Sequence, residues 1–163
     1  MAALSPSRSE ALRGLVGRSS LECIDIVRVH AERGDMLEIG RGLARPSTEA
    51  GLVPRIELSF PPRQEGGTMT FMVNLLADLH EDFIAARSGA NSRRLGLFAV
   101  SARMLYRLEG EQPSEALTHQ FGRELAVHHA WPFLRERVNT LAQGIGLAPA
   151  LLPLRRIDAG LVD

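Results

Sequence analysis

Lysine is absent from this 163-residue chain: all nineteen basic residues are Arg, and they are balanced by nineteen Asp and Glu, for a formal charge of zero. A protein that clamps nucleic acid needs a concentrated run of cations to neutralise phosphates. No such stripe exists here, and no nucleic-acid partner is expected. The missing Lys also removes the phosphate-cradling residue of a nucleotide loop: "GLVGRSS" at 14–20 lacks both that Lys and the required glycine spacing. An Arg-only cation set is read as genome composition rather than as a device. Cysteine occurs once, at Cys23, which excludes a disulfide framework and a Cys-based zinc site. Lying in an apolar stretch, Cys23 reads as a small packing residue. Long hydrophobic runs are also missing, so no segment approaches the roughly 18 residues that span a bilayer. The opening "MAALSPSRSEALRGLVGR" has no apolar core followed by a cleavage signal. The expectation is a soluble, cytoplasmic protein without membrane insertion.

What is present is enough apolar material, 45% of residues, for one core. The expected organisation is a flexible N-terminal segment over 1–20 and a single domain over 21–163. Within the former, a short fraying helix could run through Ala11, Leu12, Leu15 and Val16. Ile24, Ile26, Val27 and Val29 favour a strand over 21–32. Residues 33–53, with five Gly or Pro, read as a long loop. Strict alternation marks 55–60, with Ile56, Leu58 and Phe60 on one side, and resumes over 68–79 after the break "PPRQEGG". Residues 80–87 fit strand or helix equally. A third alternating run, 94–108, puts Phe98, Val100, Ala102, Met104, Tyr106 and Leu108 on one face and Leu95, Leu97, Ala99 and Leu105 on the other. Such a strand is expected to be covered on both faces.

After Gly110 the period changes from two to about four. Pro113 suits a first helical turn, and Leu117, Phe121 and Leu125 follow it. Pro132 starts or kinks a further helix whose stripe is Leu134, Val138, Leu141 and Ile145. Gly144 and Gly146 offer a stop. "LAPALLPL", with two prolines, suits an extended strap over apolar surface. Strands first and helices last imply an α+β fold: a four-stranded antiparallel sheet with C-terminal helices packed on one face.

Residues able to do chemistry are scattered. His119, His128 and His129 lie near Glu115 and Glu124, but no HExxH pattern is present, and solvated or helix-capping histidines explain them equally well. No G-x-S-x-G elbow occurs. Asp78, His80 and Asp82 alternate as the wet face of a strand would. No metal and no cofactor is expected. Trp131 and Phe133, flanking Pro132, fit either ordinary core or an aromatic surface for an extended peptide.

The stretch "AWPFLRERVNTLAQGIGLAPALLPLRRID" resembles the end of the SecB family of export chaperones. The family's aromatic-Pro-aromatic motif followed by Arg-Glu is matched by Trp131, Pro132, Phe133, Leu134, Arg135 and Glu136. Gly144, Gly146, Pro149, Leu151, Leu152 and Pro153 fit the glycine stop and the Pro- and Leu-rich strap. In place of the family's Cys-Pro-Asn stretch this chain has Ala126, Val127, His128 and His129. The resemblance implies a SecB-like fold and a dimer or dimer of dimers. It implies unfolded polypeptide clients held without ATP, and as further partner either the SecA motor of secretion or the antitoxin of a toxin–antitoxin system. The neutral charge departs from the acidic members that dock on SecA. The residues expected at a client or subunit surface are Trp131, Phe133, Leu147, Leu151, Leu152, Leu95 and Leu97. Two other readings remain open at this point: a small oligomeric assembly protein without clients, and an enzyme using His or Asp in a groove.

Overall fold

The computed structural model describes residues 7–33, 51–59 and 66–144. Leu147, Leu151, Leu152 and the expected strap therefore lie outside the described residues, as do residues 34–50.

The chain forms α1 (Arg8–Gly17), β1 (Ser19–Arg33), β2 (Gly51–Ser59), β3 (Thr68–His80), α2 (Phe83–Ser88), β4 (Arg94–Leu108), α3 (Glu115–Phe121), one π-helical turn (Gly122–Ala126) and α4 (Val127–Gly144). The four strands make one antiparallel sheet in the order β1-β4-β3-β2. The α+β architecture with a four-stranded antiparallel sheet is thus the one observed. The open stretch 80–87 resolves into the end of β3 and a six-residue helix, which Asp82 caps through Ala85 N–H and Gly89 ends in the left-handed conformation. β2 begins at Gly51, earlier than expected, and contains Pro54. A proline is tolerated there because β2 is an edge strand and the ladder on one side asks nothing of it.

Alternation along β3 is complete: Met69, Phe71, Val73, Leu75, Ala77 and Leu79 are buried, and the residues between them are half-buried. Register places Tyr106 opposite Met69, Met104 opposite Phe71, Ala102 opposite Val73, Val100 opposite Leu75 and Phe98 opposite Ala77. One face of the central strands is therefore continuous hydrocarbon. α4 lies on it, contributing Val127, Ala130, Trp131, Leu134, Val138 and Ala142. Of these, Val127, Leu134 and Val138 each contribute roughly 1.5–3 kcal/mol by leaving water. Where strand and helix meet, Phe71, Tyr106 and Phe121 form an aromatic triangle with ring centroids 5.0–5.7 Å apart.

The segment expected to fray carries α1. Ser7 and Glu10 close a reciprocal capping box at its start, and the hydrogen bond from the Ser7 backbone holds the Glu10 carboxyl below its ordinary pKa. Leu12 and Leu15 join the core. Beyond the helix, the Arg18 guanidinium donates to the carbonyls of Glu109 and Glu111, and Arg18 O accepts from Glu109 N–H. This fastens the N-terminal helix to the β4–α3 connection.

Candidate functional site

β1 runs along one edge of the sheet, and its pairing with β4 slips twice, between Leu21 and Cys23 and between Ile26 and Arg28. Each slip is a bulge, with Glu22 and Val27 as the extra residues. Bulges bend an edge and interrupt its row of free backbone groups. They also turn side chains outward. Leu21, Val27 and Val29 are 39–47% exposed, although three such residues on one strand would ordinarily be covered. On α4, Phe133 is exposed to a similar degree. These four side chains are the apolar surface that the described part of the molecule leaves in water, together with Val16 of α1 and Ile84 at the tip of α2.

The two aromatics flanking Pro132 do not share a wall. Successive helical positions are about 100° apart, so residues two apart point to opposite sides. Trp131, 8% exposed, enters the core, while Phe133 points outward. Pro132 lies inside α4 and does not open a second helix. It has no N–H to give the carbonyl of His128 four residues back. Leu95 and Leu97 are both half-buried, but Leu95 packs against the hydrophobic core, whereas Leu97 sits on the sheet face away from α4. The surroundings of Leu97 are mixed. Leu97 lies between Glu32 and Asp78, and Asp78 takes hydrogen bonds from Arg55 and Arg94. On the same face Arg103 donates to Asp25, and Arg107 meets Glu22. The Arg103 hydrogen bonds hold the Asp25 carboxyl below its ordinary pKa. The Cys23 thiol donates to the other Asp25 oxygen and is pushed up by that bond. Cys23 is accordingly a poor thiolate. Cover is expected on both faces of β4, from helices on one and from a partner or ligand on the other, and this second face carries the ion pairs just described.

The histidines separate as well. His119 is exposed beside Glu115 at 3.7 Å. His128 is exposed, and His129 accepts or donates at Tyr106 Oη, 2.9 Å away. Asp82 is used as the cap of α2. Among the described residues, no three metal-ligating side chains come together, and no described helix is long and apolar enough to cross a membrane.

No family model matches the sequence, and no curated protein matches it either. Comparison of folds does find a similar structure. The SecB-like chaperone Rv1957 of Mycobacterium tuberculosis, solved in complex with a ChAD peptide from the HigA1 antitoxin Rv1956, superposes with a TM-score of 0.67 over 91% of this chain and 98% of its own. The fold is SecB-like. Identity over the superposition is 14%, so the likeness is one of architecture. A protein of unknown function from Streptococcus agalactiae aligns over 85% of this chain at 13% identity, with a TM-score of 0.37, too low to bear on the fold. The exposed edge of β1 is the part of the SecB-like scaffold that sequence reasoning missed. Its only signal was the break in alternation at Ile26, Val27 and Val29.

Proposed function

We propose that this chain is a SecB-like chaperone that binds non-native polypeptide without nucleotide and works as a homo-oligomer, a dimer or a dimer of dimers. The observation that carries the reading is the apolar surface left uncovered on a SecB-like scaffold, namely Leu21, Val27 and Val29 along the β1 edge and Phe133 on α4. An unfolded chain offers apolar side chains and free backbone groups together. An interrupted edge strand with exposed Val and Leu meets both needs weakly, over many sequences. Several such surfaces on one oligomer multiply their effect through effective concentration.

Of the two client routes, an antitoxin or similar single client fits better than delivery to the SecA motor. The carboxylates Glu22, Asp25 and Asp78 on the open sheet face are each matched by Arg, so the face carries no acidic field. The structural relative bound to an antitoxin peptide supports the same choice. Leu95, Leu97, Leu147, Leu151 and Leu152 are proposed to extend the client or subunit surface, with Trp131 anchoring α4 beneath Phe133. The cytoplasm is the compartment proposed.

The test is light scattering from a refolding substrate with and without this protein, with no nucleotide added. The expected result is suppression of scattering at a few-fold molar excess. Unchanged scattering, alongside an oligomer in which Val27 and Val29 are shielded, would favour an assembly protein without clients.

A further inference from the structure

We propose that the Tyr106–His129 hydrogen bond is an acid-released latch that holds the first turns of α4 on the sheet. The bond joins β4 to α4 at 2.9 Å, with the two rings stacked at 6.0 Å between centroids. Tyr106 is 1% exposed, so its hydroxyl has little access to water as a substitute partner. While the imidazole is neutral with its proton on Nε2, Nδ1 accepts the tyrosyl proton. Once charged, Nδ1 carries a proton of its own. It can then only donate; Tyr106 Oη can accept that proton, but only if the tyrosyl O–H turns away from the imidazole into apolar surroundings, and the new charge is lodged against a buried ring.

Among the described residues, the groups around the site do not favour the charged ring. At the level of Tyr106, β1 contributes Leu21 and β3 contributes Met69, and the next rung adds Ile24 and Phe71. None of these titrates. On its own helix the nearest ionisable group is His128, with ring centroids 6.2 Å apart, so a second positive charge would arise beside the first. Glu124 and Arg123, in the preceding π-helical turn, are exposed, and Glu124 accepts from Gln120. Burial, and then His128, lower the basicity of His129 below that of an ordinary imidazole.

The backbone here is loosened on both sides. Upstream, Val127 N–H reaches back five residues to Gly122 O in the π-helical turn. Downstream, Pro132 leaves the His128 carbonyl without its helical donor. The side-chain bond therefore pins a segment whose own ladder is weakest there. Its release uncovers the Phe71–Tyr106–Phe121 triangle. The latch belongs to the fold itself and does not depend on the proposed clients.

Trp131 is the only tryptophan of the chain and lies two residues from His129. Its emission wavelength and its quenching by acrylamide report the lift of α4. As pH falls below the ordinary imidazole value near 6.5, the emission should move to longer wavelength and quenching should rise severalfold, reversibly. His129→Gln keeps an acceptor for Tyr106 but cannot charge, and should abolish the response. His128→Gln should retain it. An emission unchanged with pH, or a response undiminished in His129→Gln, overturns the latch. Should His129→Gln fail to fold, the His129 ring is titrated by nuclear magnetic resonance in the unaltered protein and in Tyr106→Phe. A midpoint below the ordinary value that rises in Tyr106→Phe is expected, and an ordinary midpoint in both overturns the proposal.

Discussion

Gly51 opens β2 under the ring of Phe83, where an added Cβ would stand 2.8 Å from the Phe83 Cβ. The guanidinium carbon of Arg87 lies over the Phe83 ring, 5.5 Å from its centroid. Gly51→Ala should therefore cost about 1–3 kcal/mol, read as a lower urea midpoint, through forced displacement of α2. The double variant Gly51→Ala, Phe83→Ala should be less destabilised than the sum of the singles, because the clash needs both partners. The aromatics of α4 make the opposite kind of pair. Trp131→Ala empties a core position and should cost about 3–5 kcal/mol. Phe133→Ala removes an exposed ring and should move stability by less than about 0.5 kcal/mol. If Phe133 touches client, its removal should weaken suppression of aggregation while the unfolding curve stays put. His129 adds a pH term. Its folded-state pKa is depressed, so the stability it confers is complete above the unfolded imidazole value near 6.5 and is lost as pH falls below that value through the lowered folded one. The urea midpoint should fall over that range and stay flatter in His129→Gln.

Elements differ in how openly the sequence announces them. β3 and β4 alternate without a break from Met69 to Leu79 and from Phe98 to Leu108, and both were legible almost to the residue, as was the antiparallel sheet they imply. β1 was legible as a strand but not as a bulged one. Ile24 and Ile26 keep period two, then Val27 and Val29 shift it, and that slip is the trace of the second bulge. The early start of β2 was hidden by Pro54, a residue that argues against a strand unless the strand is known to lie at an edge. The π-helical turn has no residue signature at all. Of the surface proposed for clients, Phe133 is legible in the sequence, whereas Leu21, Val27 and Val29 are not, because alternation tells which residues are apolar and not which of them a helix covers. Two element-level outcomes follow. Removing residues 1–17 takes Leu12 and Leu15 from the core and should lower the unfolding midpoint without abolishing the sheet, measured by circular dichroism. Pro132→Ala restores a donor to the His128 carbonyl and should stabilise α4 by up to about 3 kcal/mol, measured by denaturant titration. The same substitution should blunt the acid response of Trp131, since a continuous ladder no longer depends on the side-chain tie.

At the scale of the whole molecule, zero net charge and Arg-matched carboxylates separate this chain from a chaperone steered by an electric field. Client binding through apolar surface should be nearly indifferent to salt between low and high ionic strength, since screening acts on charges and not on hydrocarbon. A sharp loss of aggregation suppression on adding salt would assign the work to the ion-paired sheet face instead. The strand order also reaches beyond the finished fold. β1 lies beside β4, and sixty residues separate the end of the one at Arg33 from the start of the other at Arg94. At the usual pace of roughly 5–20 residues per second, the ribosome takes several seconds to supply the neighbour that β1 must find. Throughout that wait Ile24, Ile26, Val27 and Val29 have no ladder to join. A protein proposed to shelter unfinished chains thus begins its own life as one, and its first strand can be zipped in only when the last arrives.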